Sequence, residues 1–183
     1  MKLQLVKKSQ DLMKSYESGL MESSKESEKD SQSVETLTKY LGLLRALETY
    51  YHHAHWITKG DTYYGDHLLF ERLYGETKSQ VDGLAEKMVG VFGEESVSIH
   101  KITEVVMKVI SSAPKMDSKI TGFELAEYAL GLEKIFLQMT EGLYQKMKRD
   151  GTMTMGFDDL LMELYSNHEG SIYLLQQRTK RLE

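Results

Sequence analysis

Residues 52–88 read HHAHWITKGDTYYGDHLLFERLYGETKSQVDGLAEKM and contain four of the six histidines in the chain. The stretch holds the end of one helix, a break and most of a second. Upstream of the break, Val34, Leu37, Leu41, Leu44, Leu47 or Glu48, Tyr51 and His55 recur at intervals of three and four. That period predicts a long helix over about 34–58 with one buried face. Gly60 and Asp61 stop it. Downstream, Leu69, Leu73, Val81, Leu84, Met88 and Val91 predict a second long helix over about 65–92, with Gly93 placed to end it.

The remaining elements extend the same pattern. Residues 94–121 hold the single proline and one short helical run, IHKITEVVMKVI, which is too long a connection for a hairpin. Thr121 followed by Glu124 reads as a capping box that opens a third long helix to about residue 149. Its apolar positions include Leu125, Leu132, Phe136, Met139 and Leu143. RDGTMTMG breaks the chain, and a fourth helix follows over about 157–180 through Leu160, Leu164, His168, Ile172 and Leu175. Neither an internal repeat nor a strand is discernible, and glycine breaks argue against a continuous coiled coil. Two short connections flanking one long crossover predict an all-α, four-helix bundle of ferritin-like topology, with a short helix in the crossover.

Composition agrees with a helical, disulfide-free fold. The 183 residues include no cysteine, one proline and 40% hydrophobic residues, enough apolar content for one sizeable core. No apolar window approaches the roughly 18 residues of a membrane span, and the basic start lacks the apolar region of a signal peptide. A cytoplasmic protein with no membrane partner is expected. The net charge of −5 argues against a general nucleic-acid coat, since phosphate binding is supplied mostly by Lys and Arg. Residues 1–33 form a separate extension ahead of a domain over 34–183. Within it, Leu12, Met13, Tyr16 and Leu20 fall on one helical face, whereas ESSKESEKDSQS over 22–33 is wholly polar with both charges mixed. Lysines 2, 7, 8, 14, 25 and 29 are matched in number by Asp11, Glu17, Glu22, Glu26, Glu28 and Asp30, so DNA binding is expected to be weak.

The second helix carries the chemistry. His67 and Glu71 are four apart and share a face, as do Asp82 and Glu86. The eleven residues from Glu71 to Asp82 make nearly three whole turns, so all four side chains lie on one stripe. At helical rise, Glu71 and Asp82 stand about 16 Å apart, whereas metal–ligand bonds are roughly 2 Å long. One chain therefore cannot close a site with these four. Two copies packed antiparallel about a twofold axis between residues 76 and 77 set His67 opposite Glu86 and Glu71 opposite Asp82, giving two equivalent sites. Gly75 and Ser79 are small enough for a close crossing. His55, returning across the break, completes a set of two imidazoles and three carboxylates, which suits Fe(II), Mn or Zn. For any one of these residues alone, a solvated helix face is the simpler reading; the symmetric spacing of all five is what favours a metal site.

HWITKG resembles the His-Trp-x-x-x-Gly signature of the Dps family, the DNA-protecting mini-ferritins. DHLLFERLY is similar to that family's second ligand segment, VDGLAEKM to its Asp-x-x-Ala-Glu-Arg segment, and FDDLLMELYSNHEGSIYLL to its closing helix. The resemblance covers roughly residues 35–180. It implies a hollow dodecamer of four-helix subunits, with ferroxidase centres at twofold interfaces, iron oxidised preferably by hydrogen peroxide, and ferric mineral held inside. It further implies His55, His67 and Glu71 as ligands from one subunit and Asp82 and Glu86 from its neighbour, with Trp56 beside them. The chain departs from the family at Glu71, where Asp is usual, at Lys87 for Arg, at Tyr173 for Trp, and in its longer RDGTMTMGFDD loop. Asp150, Asp158, Asp159 and Glu163 are candidate acids of a threefold pore, or equally a solvated helix start favoured by the macrodipole.

A site inside the bundle would use Glu-x-x-His motifs, and none occurs. Glu48 and His52 are four apart, and His168 adjoins Glu169. His52, His53 and His168 are accordingly read as structural or surface residues, and the methionines and most tyrosines as core packing; Tyr50, Tyr51, Tyr63 and Tyr64 near the site could scavenge oxidising equivalents, but packing is the favoured reading of these too.

Overall fold

The computed structural model describes residues 32–180, and the stripe of Leu12, Met13, Tyr16 and Leu20 lies outside them. Helix α1 is described over residues 32–57. It is followed by α2 (Tyr63–Phe92), a 3-10 turn (Glu94–Val97), α3 (Ile99–Ser111), α4 (Gly122–Asp150) and α5 (Met155–Thr179). No strand occurs among the described residues, and no helix there is long and apolar enough to cross a membrane. The long helices α1, α2, α4 and α5 form the bundle, and α3 lies in the crossover, as the spacing predicts.

Most positions of the expected stripes fill the core, but Val91 on the α2 stripe is exposed. Leu37, Leu41, Leu44, Tyr51, Leu73, Leu84, Leu125, Phe136, Leu143, Leu164 and Leu175 are all buried. Helix α1 is buried over more of its surface than a single stripe, with Glu35, Lys39, Arg45, Thr49, His53 and Trp56 left exposed. Helix α3 packs Ile102, Val105, Val109 and Ile110 against the core, and its Val105 meets α1 at Gly42. Contact there is close enough that a Cβ on Gly42 would stand 2.7 Å from the Cβ of Val105. The atom in the way belongs to a stiff β-branched side chain and cannot swing aside. Gly42→Ala should therefore lower stability: overpacking costs about 1–3 kcal/mol, more than the roughly 1 kcal/mol gained in helix propensity. A thermal melt of the variant reads the difference directly.

Helix ends follow their capping chemistry. Thr121 Oγ1 accepts from the Glu124 amide at 3.2 Å, and the Thr121 amide donates to Glu124 Oε2 at 2.9 Å. These bonds from Thr121, its backbone first, hold the Glu124 carboxyl below the usual carboxylate range. Gly151 ends α4 in the left-handed region at φ 75°, where glycine carries no Cβ penalty. Thr154 caps α5 through the Phe157 amide at 3.2 Å. Helix α5 thus starts two residues earlier than the sequence suggests, and the break between α4 and α5 shrinks to residues 151–154.

The methionines divide. Met88 and Met147 are fully buried, but Met107, Met155 and Met162 are exposed. Helical spacing alone does not tell a core methionine from one on the outer face.

Candidate metal centre

The last turn of α1 and the first turns of α2 bring His55 and His67 together. Gly60, at φ 82°, lets the five-residue connection reverse the chain. The two imidazole rings stack with centroids 3.8 Å apart and planes 25° from parallel. Each ring also bonds to the other residue's backbone: His55 Nδ1 lies 3.0 Å from the His67 carbonyl, and His67 Nδ1 lies 3.0 Å from the His55 carbonyl. A carbonyl oxygen can only accept, so both Nδ1 atoms carry hydrogen and donate. In the neutral form each ring is thereby fixed in one tautomer, with the lone pair on Nε2, the atom that would meet a metal ion.

Asp66 anchors this corner. Its carboxylate is buried in the stripe that continues through Phe70, Leu73 and Thr77. It accepts from Thr62 Oγ1 at 2.7 Å and from Arg178 Nη2 at 3.0 Å, with Arg178 Nε closing a second bond to the other oxygen. Hydrogen bonding to Asp66 is the main reason the Arg178 pKa rises further. The clasp ties the start of α2, and so His67, to the end of α5. A Cβ on Gly122 would overlap the Asp66 carboxylate, which explains a glycine in the first position of α4. Asp66→Ala leaves Arg178 without its carboxylate partner, and a loss of about 1–3 kcal/mol is expected, measured by urea unfolding at fixed protein concentration.

The remaining candidates lie where the stripe puts them. Glu71 sits one turn beyond His67, and Asp82 and Glu86 follow further along the same helix; all three are exposed. Among the described residues none of the three enters an ion pair, although Glu76 between them is engaged by Arg72 at 2.8 Å. Nor do three or more His, Asp or Glu side chains converge there into a group able to hold a metal ion. Gly75, Ser79 and Gly83 line a groove of about 700 Å³ between α2 and α5.

Aromatic side chains surround the histidines. Tyr74 meets His55 edge-on at 5.3 Å, Tyr63 lies 5.1 Å from His67, and His52 stacks on Tyr74 at 4.3 Å and touches Trp56 at 4.4 Å. Trp56 itself is 63% exposed and Tyr64 72%. His52 and His53 are packing and surface residues in the described chain, and Glu48 pairs with Arg45 at 3.2 Å rather than with His52. At the other end of the bundle Asp150 pairs with Lys146 at 2.6 Å and Asp158 with Lys148 at 3.5 Å, while Asp159 and Glu163 are exposed on α5.

Sequence reasoning missed one polar group in the bundle centre. Glu133 of α4 is fully buried and sits between Tyr51, which donates to Oε1, and His168, whose Nδ1 is 2.5 Å from Oε2. His168 Nε2 in turn lies 3.0 Å from Gln80 Oε1. Burial, with the Glu133 charge and hydrogen bond adding to it, pushes the Tyr51 phenol far above its usual range. The available signal was a charged residue at a core position of α4, one turn before Phe136.

No protein-family model matches the chain. The chain is 26% identical over 148 residues to DNA protection during starvation protein 2 of Bacillus anthracis, an alignment covering 80% of this chain and 96% of that protein. In fold it is similar to Dps from Thermosynechococcus elongatus, with a TM-score of 0.73 and 19% identity over 86% of this chain and 96% of that one. It is also similar to the DPS protein of Vibrio cholerae, described as a member of a broad superfamily of ferritin-like diiron-carboxylate proteins, with a TM-score of 0.70 and 16% identity over 83% of this chain and 91% of that one.

Proposed function

Taking as premise the Dps family of the ferritin-like superfamily, which sequence and fold alike support, we propose that the protein is an iron-oxidising mini-ferritin. Its substrates are Fe(II) and hydrogen peroxide. Each reaction site joins His55, His67 and Glu71 of one subunit to Asp82 and Glu86 of a second copy across a twofold axis. Combined with a second, different contact about threefold axes, that twofold builds a hollow homo-oligomer, a dodecamer, that retains ferric mineral in the cytoplasm and limits oxidative damage.

The observation that carries this reading is the reciprocal clamp of His55 and His67. Two imidazoles whose Nδ1 atoms are both tied to backbone carbonyls present two Nε2 lone pairs, and fixed tautomers of this kind are the preparation a metal-binding histidine needs. The three carboxylates without ion-pair partners on the same stripe supply oxygen donors, which favour the more highly charged Fe(III) as it forms. A nitrogen–oxygen set without thiolate accommodates Zn or Mn as well, and these would act as competing occupants. Two Fe(II) ions give one electron each to hydrogen peroxide, which takes up two protons and leaves as two waters without releasing hydroxyl radical.

Adding peroxide to the anaerobic Fe(II)-loaded protein tests the reading through ferric absorbance and a spin trap. Rapid oxidation at two Fe(II) per peroxide, with little trapped hydroxyl radical, is expected. A rate and radical yield equal to those of the protein-free mixture would exclude it. DNA binding is not needed for protection by this route. Any retardation of duplex DNA in a gel shift should be weak and should fall steeply as salt is raised.

A further inference from the structure

We propose that Tyr51 is a one-electron donor to the iron site, with Glu133 as the base that receives its phenolic proton. The inference rests on the iron and peroxide reading above. Three tyrosines, Tyr40, Tyr50 and Tyr51, are fully buried in the bundle, and their hydroxyl groups meet different partners. Tyr40 Oη pairs with Thr140 Oγ1 at 2.8 Å, and Tyr50 Oη donates to the Leu125 carbonyl at 2.9 Å. Neither partner is a base. Tyr51 Oη donates to a carboxylate, whose other oxygen is held by His168. Removing an electron from a phenol makes its proton strongly acidic, so oxidation in a dry interior proceeds where a hydrogen-bonded base can take that proton. Tyr51 alone of the three has one.

Position supports the same assignment. Tyr51 precedes His55 by one turn of α1, and side chains at that spacing have Cβ atoms about 6 Å apart. Phe70, the neighbour of Glu71, lies with its ring centroid 6.3 Å from that of Tyr51. Electrons cross such a gap without a continuous bond, whereas the proton needs the hydrogen bond that Glu133 provides. Beyond Glu133, His168 connects to Gln80, which lines the groove between α2 and α5.

The device matters when a site holds a single Fe(II). That ion alone can give peroxide only one electron, which yields hydroxyl radical. With Tyr51 as second donor, peroxide receives one electron from Fe(II) and one from the phenol. Two solvent protons complete two water molecules. Tyr51 is left as a neutral phenoxyl radical with its proton on Glu133. A later Fe(II) returns the electron, and the proton moves back to Oη.

Freeze-quench electron paramagnetic resonance on the whole oligomer, loaded with one Fe(II) per subunit and mixed with hydrogen peroxide, tests this alongside ferric absorbance. The native protein and Tyr50→Phe should both give a tyrosyl signal. Tyr51→Phe should lose the signal and release more spin-trapped hydroxyl radical, while Glu133→Gln, similar in shape but a poorer base, should diminish it. Ferric absorbance without a tyrosyl signal, or a signal unchanged in Tyr51→Phe, would overturn the role of Tyr51 and leave the iron reading standing. Absence of ferric absorbance in the native protein would overturn both.

Discussion

Alanine at His67 should slow peroxide-driven Fe(II) oxidation by about a hundredfold or more, while the far-ultraviolet dichroism of the helices stays unchanged. The magnitude follows from the site's chemistry. Loss of a residue that merely orients a metal-binding histidine costs roughly 10–100-fold, and loss of the donor itself costs at least as much. In the proposed site His67 plays both parts, since its ring would supply one Nε2 and also packs against the ring of His55 at 3.8 Å. Its side chain is half-buried at the start of α2, with the backbone of that turn held independently by the Asp66–Arg178 clasp. The variant should therefore fold. Stopped-flow absorbance of native and His67→Ala oligomers gives the ratio, and a loss smaller than about threefold would remove His67 from the ligand set.

Glu133→Leu should cost about 2–5 kcal/mol of stability, because it removes the shared acceptor of two buried hydrogen-bonding groups, each worth roughly 1–3 kcal/mol when left unsatisfied. The substitution leaves the Tyr51 hydroxyl and His168 Nδ1 without an acceptor, in a part of the core where neither Tyr51 nor His168 is reached by water. Replacing His168 by Leu as well should recover a large share of the loss, because an apolar pair of similar volume is often neutral or better. Urea unfolding at one protein concentration compares the three, the concentration being fixed because an assembly of the proposed kind would contribute to apparent stability. A Glu133→Leu loss below about 1 kcal/mol would mean that the pair is weakly coupled to the core.

Periodicity and punctuation made most of the architecture legible. The stripes through Leu37, Leu41 and Leu44 and through Leu125, Leu132 and Phe136 are core, the Thr121 and Glu124 box opens α4, and Gly93 and Gly151 end their helices. What was illegible depends on contacts between distant segments. Gly42 of α1 meets Val105 of α3, and Asp66 meets Arg178 112 positions away. Neither relation leaves a local period. The polar centre of the bundle was half legible: His168 falls on the apolar stripe of α5, but its partner Glu133 looks like any other charged residue on a long helix until α4 is oriented. Within the site, spacing alone placed five residues on two helix ends and one stripe. The mutual carbonyl bonds of His55 and His67, which free both Nε2 atoms, depend on the geometry of the turn between them.

Sharing of the site between subunits is tested most directly by mixing His67→Ala and Asp82→Ala chains. In a twofold dimer of one chain of each kind, one site loses both residues and the other regains the complete native set. Random reassembly of equal amounts makes half of the dimers mixed, so about a quarter of the native oxidation rate should return, although each variant alone is nearly inactive. Recovery near that fraction is what a site formed across the α2 twofold requires. If the reassembled mixture is no faster than either parent, His67 and Asp82 do not meet between subunits, and the shared centre is contradicted.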